Sequence, residues 1–91
     1  MGGLVMYAIN AVALLNASRM PEHLALWLVL REMVTEQTVQ PVKNVPGHDA
    51  VLVRDDVDAD RWQAIVQIVR RRFKKNEFLL YAKENGRWKK V

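Results

Sequence analysis

Residues 1–18 carry no charge, and any fold of this chain must hide that run. A bilayer is a poor place for it. The apolar part, residues 4–17, would make a helix of about 21 Å, against roughly 30 Å of hydrocarbon. Asn10 and Asn16 interrupt it, and the next apolar run, residues 24–30, is shorter still. A secretory signal would place basic residues ahead of the apolar stretch, where this chain has Met-Gly-Gly. No membrane association is expected. The run reads as a buried helix over residues 4–17, because Ala and Leu dominate it. Its first half, residues 4–9, equally fits a short buried strand, since periodicity does not separate the two.

The chain has 91 residues, 51% of them hydrophobic, which suits one small domain. It contains no cysteine. Disulfide scaffolds, thiolate zinc sites and cysteine nucleophiles are therefore excluded, and a reducing compartment, the cytoplasm, is expected.

A second helix is predicted from Pro21 to about residue 36. Proline suits the first helical position, and Glu22 lies beside the positive end of the helix dipole. Residues 24–30 are apolar on all sides, so the two helices form an αα-hairpin with more apolar surface than one face can hide. A homo-oligomer, most simply a dimer, is expected through residues 4–36. Residues 37–49 read as a linker broken by Pro41 and Pro46-Gly47, with residues 38–42 as a short edge strand.

Residues 50–53 are a compact apolar run between charges and read as a buried strand. Next comes the best-defined helix, with Asp60 or Asp58 as its N-cap. Trp62, Ile65, Val66, Val69 and Phe73 line one face at helical spacing. Asn76 is expected to close this helix in the left-handed conformation. Residues 77–83 read as a strand, and Asn85-Gly86 signals a two-residue hairpin. That turn pairs Glu84 with Arg87, Lys83 with Trp88 and Leu80 with Val91. Phe78, Leu80 and Val91 then face the core, and Leu79, Tyr81, Lys83, Trp88 and Lys90 face the other way.

Catalytic and metal motifs are weak. Asp56, Asp58 and Asp60 match the first ligands of a calcium loop, but Arg61 stands where its glycine should be and Gln67 where its bidentate glutamate should be. Helix N-terminal acids explain the cluster better. His48, beside Asp49, has the composition of a general base and equally that of a polar turn. His23 reads as a solvated or capping residue. Ser18 lies in no nucleophile elbow, and no glycine-rich phosphate loop is present. No metal, no cofactor and no enzymatic activity are expected.

Charge is the strongest functional pointer. Residues 1–60 hold four basic and eight acidic side chains, net −4, whereas residues 61–91 hold ten basic and two acidic, net +8. Arg70, Arg71, Lys74 and Lys75 end the helix, and Lys83, Arg87, Lys89 and Lys90 lie on the hairpin with Tyr81 and Trp88. Cations for phosphates with aromatics for stacking is the chemistry of single-strand binding, and the same cations could clamp a duplex backbone. The alternatives are an acidic protein partner and a solvated basic face in which Lys83 stacks on Trp88.

The expected fold is a single α+β domain. It comprises the apolar helical hairpin (4–36), the linker (37–49) and a β-α-β-β basic unit with a short antiparallel sheet (50–91). A winged-helix-like arrangement is the alternative. The expected function is that of a dimeric, non-catalytic nucleic-acid-binding accessory protein contacting a DNA or RNA backbone. Second comes an interaction or inhibitor module on an acidic partner, and third a small ribonuclease-like toxin using His48.

Overall fold

The computed structural model describes residues 6–41 and 49–91, and of residues 35–41 the backbone alone. Strand β1 (Met6–Asn10) opens the chain and leads directly into helix α1 (Ala11–Ser18). A 3₁₀ turn (Pro21–His23) and α2 (Leu24–Met33) follow. Then come β2 (Val34–Pro41), β3 (Asp49–Val53), α3 (Ala59–Arg72), β4 (Leu80–Glu84) and β5 (Arg87–Lys90). The strands form one antiparallel sheet in the order β2-β3-β1-β4-β5. The α+β class is as expected, and the β3-α3-β4-β5 order is the β-α-β-β unit read from sequence. A five-stranded sheet with its helices on one face is not a winged helix.

At the start the helix expected over residues 4–17 is replaced in its first half by the strand given as its alternative, and α1 keeps the second half. Residues 6–10 are the central strand, bonded to β3 on one side and β4 on the other. A strand buried on both faces shows a continuous apolar run instead of alternation, which is why the pattern resembled a helix. Asn10 makes the switch. Its backbone is extended and its Oδ1 accepts the Ala13 N–H at 3.0 Å, capping α1 within the apolar run.

Helix α1 is apolar over most of its circumference and buries only one side of it. Ala13 and Ala17, spaced i, i+4, face inward, while Val12 and Leu15 face outward. The expected end of α2 near residue 36 moves back to Met33, where the chain extends into β2. The Arg54 N–H donates to the Met33 carbonyl at 2.7 Å, and Nη1 of Arg54 reaches the Glu32 carbonyl. A cation at the negative end of a helix is favourable. Strand β2 occupies part of the expected linker and is an edge strand with a register shift between Val34 and Val39. Val42, Pro46-Gly47 and His48 lie outside the described residues.

The core packs between sheet and helices. Tyr7, Ile9, Val53 and Leu80 project from the sheet onto Ala13 and Ala17 of α1, Leu26, Leu30 and Met33 of α2, and the buried face of α3. Helix α3 buries Trp62, Ile65, Val66 and Val69, the stripe read from its sequence, and the Trp62 ring stacks on Tyr7 at 4.6 Å between centroids. A smaller cluster of Ala8, Ala50 and Tyr81 with Leu52, Leu79 and Trp88 lies on the other sheet face. Strand β4 starts at Leu80, three residues later than expected. Asn76 is no left-handed cap, because Asn85 is the one non-glycine residue with positive φ among the described residues. Phe73 ends α3 in extended geometry, donating its N–H to the Val69 carbonyl. The hairpin pairs Glu84 with Arg87, Lys83 with Trp88 and Tyr81 with Lys90, with φ of 51° at Asn85 and 75° at Gly86, the two-residue turn expected.

Asp58 is the cap of α3, its Oδ1 accepting the Arg61 N–H at 2.8 Å. Asp58→Ala should lower stability by about 1 kcal/mol. Asp60→Ala, which forfeits a dipole interaction and no cap, should cost no more than about half that. Urea unfolding of the two variants, compared by midpoint at unchanged slope, checks the difference.

Candidate nucleic-acid interface

The cations are positioned by two elements that meet at one corner of the sheet. Helix α3 carries Arg70, Arg71 and Arg72 in its last turn, and Lys74 and Lys75 follow directly. Strand β5, the edge of the sheet, carries Arg87, Lys89 and Lys90. Arg70 joins the two. Its Nη1 donates to the Phe78 carbonyl and its Nη2 to the Val91 carbonyl, each at 2.8 Å, while the Val91 N–H donates to the Leu80 carbonyl at 2.9 Å. The helix end is thereby fixed to the end of the edge strand. Burial lowers the Arg70 pKa from its ordinary value, and two charge-assisted bonds to carbonyls compensate the buried guanidinium.

Arg70 is thus committed to holding the corner together, with both terminal nitrogens directed inward. By sequence Arg70 groups with the expected phosphate-contacting cations, although its spacing carries a sign of this different place. Val66, Val69, Arg70 and Phe73 share helical spacing i, i+3, i+4, i+7, which puts Arg70 on the border of the buried stripe. Arg72, part of the same basic run but not among the expected phosphate contacts, is exposed, as are Arg71, Lys74, Lys75, Arg87, Lys89 and Lys90. Among the described residues the one ion pair is Arg54–Asp56, at 2.8 Å. Glu77 accepts the backbone N–H of Lys74 rather than pairing with an ammonium. Seven cations therefore stand in solvent without a carboxylate partner among the described residues.

The aromatics behave differently from the cations. Tyr81 has 0% of its surface exposed. Burial pushes its phenol above the ordinary value, with the neighbouring Asn10 amide opposing, and its hydroxyl has no hydrogen-bond partner in ordinary geometry. Stacking of Tyr81 on a base, expected from sequence, is closed to it in this structure. Trp88 is half-buried against Tyr81 and its cluster, and the Lys83 ammonium lies over its ring, 5.8 Å from the centroid. Lys83 and Trp88 therefore engage each other. The remaining aromatics of this half are also covered: Phe73 sits between His23 at 4.5 Å and Phe78 at 5.0 Å, and Trp62 and Phe78 are buried.

No three His, Asp or Glu side chains cluster to hold a metal ion, and no helix is long and apolar enough to cross a membrane, among the described residues. No family model, curated protein or solved structure matches the chain.

The two tyrosines of the chain report on this packing directly. Burial also pushes the Tyr7 phenol up, aided by the negative charges of Glu84 and Asp58. A phenol raised in the folded state adds stability that is fully present below its unfolded pKa of about 10 and is lost as pH rises through the folded value. Absorbance at 295 nm should therefore show little phenolate in the native protein at pH 10, and about half ionisation in 8 M urea. Equal titration in both states would place Tyr81 in solvent.

Proposed function

We propose that the chain is a non-catalytic nucleic-acid-binding protein, acting in the cytoplasm, that uses the corner formed by α3 and β5. Arg71, Arg72, Lys74, Lys75, Arg87, Lys89 and Lys90 contact phosphates, while Arg70 positions them and Lys83 covers the Trp88 ring, which takes no part in binding. The observation that carries this reading is the convergence of seven exposed, unpaired cations on one helix end and one edge strand. A basic face of this density raises the local concentration of polyanions and releases counterions when it meets one. It needs no bound cofactor.

The same reading makes the protein a dimer through α1 and α2. Val12 is 61% exposed and Leu15 50% on α1, and Leu24, Leu28 and Val29 of α2 are 43% exposed or more. Apolar surface concentrated on one αα-hairpin marks an interaction site. A second copy there would double the cationic surface offered to one nucleic acid and raise avidity without new contacts.

Binding of a fluorescein-labelled 20-mer across 20–200 mM salt tests the first part. The logarithm of affinity should fall linearly with the logarithm of salt, losing roughly a thousandfold between 50 and 200 mM if six phosphates are neutralised. Replacing Arg71, Lys74 and Lys75 together by Gln should reduce the slope by about 2 to 3. An absence of binding at 20 mM salt removes the reading. A stoichiometric acidic protein that is retained after nuclease treatment would favour the interaction-module alternative. Light scattering tests the second part, with twice the 10.5 kDa chain mass expected, reverting to one chain mass in Leu28→Asp. A monomer at all concentrations removes the dimer.

A further inference from the structure

We infer that the nucleic acid held at this corner is a double helix gripped by its backbone and not an unpaired strand. This rests on the nucleic-acid reading above and narrows it to a substrate class. Proteins that bind unpaired strands combine a basic channel with accessible aromatic faces, and each stacked base contributes about 1–3 kcal/mol. The cationic half of this chain has five aromatic side chains, Trp62, Phe73, Phe78, Tyr81 and Trp88. Three are buried, Phe73 is half-buried in tilted contact with the His23 and Phe78 rings, and Trp88 is half-buried beneath the Lys83 ammonium. A base could stack only after displacing a cation–π contact or opening the small cluster around Tyr81. A duplex asks for no stack, because its bases already stack on each other.

The form of the cationic surface agrees. Strand β5 is the rim of the sheet, and its side chains alternate: Arg87 and Lys89 on the side of the helices, Trp88 and Lys90 on the other. Cations thus project from both sides of a rim, which makes a ridge rather than a channel. Arg87 and Lys90 are about 10 Å apart along the strand and project to opposite sides, so the ridge offers charge to phosphates on either flank. Arg70 holds the α3 end against the Lys90 end of that ridge, so Arg71, Lys74 and Lys75 extend it in the direction of one backbone.

The other end of α3 fixes the approach. Asp55, Asp56, Asp58 and Asp60 stand exposed at its start, and Asp60 lies about 15–18 Å along the axis from the arginines of the last turn. That is about two Debye lengths in physiological salt. The helix meets phosphates end-on through its C-terminal turn, and the three arginines there offset the negative pole of its dipole. Lying lengthwise in a groove would bring four carboxylates against the backbone.

The experiment is a competition at 50 mM salt among a 20-base-pair DNA duplex, a 20-base-pair RNA duplex and the unpaired DNA and RNA strands. At least one duplex should bind tenfold or more tightly than either unpaired strand. Arg87→Gln with Lys89→Gln should weaken duplex binding about fivefold to tenfold, and Trp88→Ala, checked for folding by circular dichroism, should change it less than twofold. Unpaired strands binding as well as duplexes, or a tenfold loss in folded Trp88→Ala, would overturn the inference and leave the nucleic-acid reading standing. Binding of none of the four would overturn both.

Discussion

The pairing of β1 on both its edges holds this domain together. Ala8 faces Leu52 of β3 on one side and Tyr81 of β4 on the other, and Ile9 faces Val51 and Leu80 in the same way. Remove that strand and the sheet divides into two unconnected hairpins, β2-β3 and β4-β5, neither of which is independently stable. Because β1 is central, its backbone polar groups find partners on both edges, so the apolar run can be buried without stranding hydrogen-bonding groups. The same strand supplies Tyr7 and Ile9 to the helix side and Ala8 to the other, so both apolar clusters converge on it.

What was legible in the sequence follows from which signals are local. The α3 stripe and the Asn85-Gly86 turn are set by residues within a few positions of one another, and both were read with their register. The start of the chain left helix and strand both open and favoured the helix, because the partners of β1 lie far away in sequence and a two-sided burial pattern has no period. Asn10 carried a local sign of the boundary, a capping amide ahead of Ala13. Which side of α1 would be buried had no local sign: the helix packs inward through Ala13 and Ala17 and leaves Leu15 exposed. Among the candidate binding residues, charge predicted exposure for Arg71, Lys74, Lys75, Arg87, Lys89 and Lys90. Composition gave no warning that Arg70 would turn inward to two carbonyls or that Tyr81 would be fully covered. Side-chain roles of that kind are decided by tertiary neighbours.

The two halves of the chain present different surfaces. The αα-hairpin faces solvent with apolar side chains, and the α3–β5 corner faces it with cations. Between them, Phe73 packs on His23 of the 3₁₀ turn and on Phe78, so the joint between the two surfaces is a short aromatic row. The radius of gyration, 12.4 Å, matches the roughly 12 Å of a 91-residue globular domain. Both surfaces therefore sit on one body, and a contact made at either constrains the orientation of the other.

The central position of β1 also has a consequence in time. Met6 pairs with Lys83, far along the sequence, so β1 is synthesised well before its partner β4. Loop closure over that distance must precede the reward of pairing, which slows folding relative to a helical domain of equal size. Until β4 is synthesised, the uncharged N-terminal segment has one of its two edges bare, and an uncovered apolar edge is a template for association. The acidic residues that dominate the first two-thirds of the chain keep the nascent polypeptide charged through this interval.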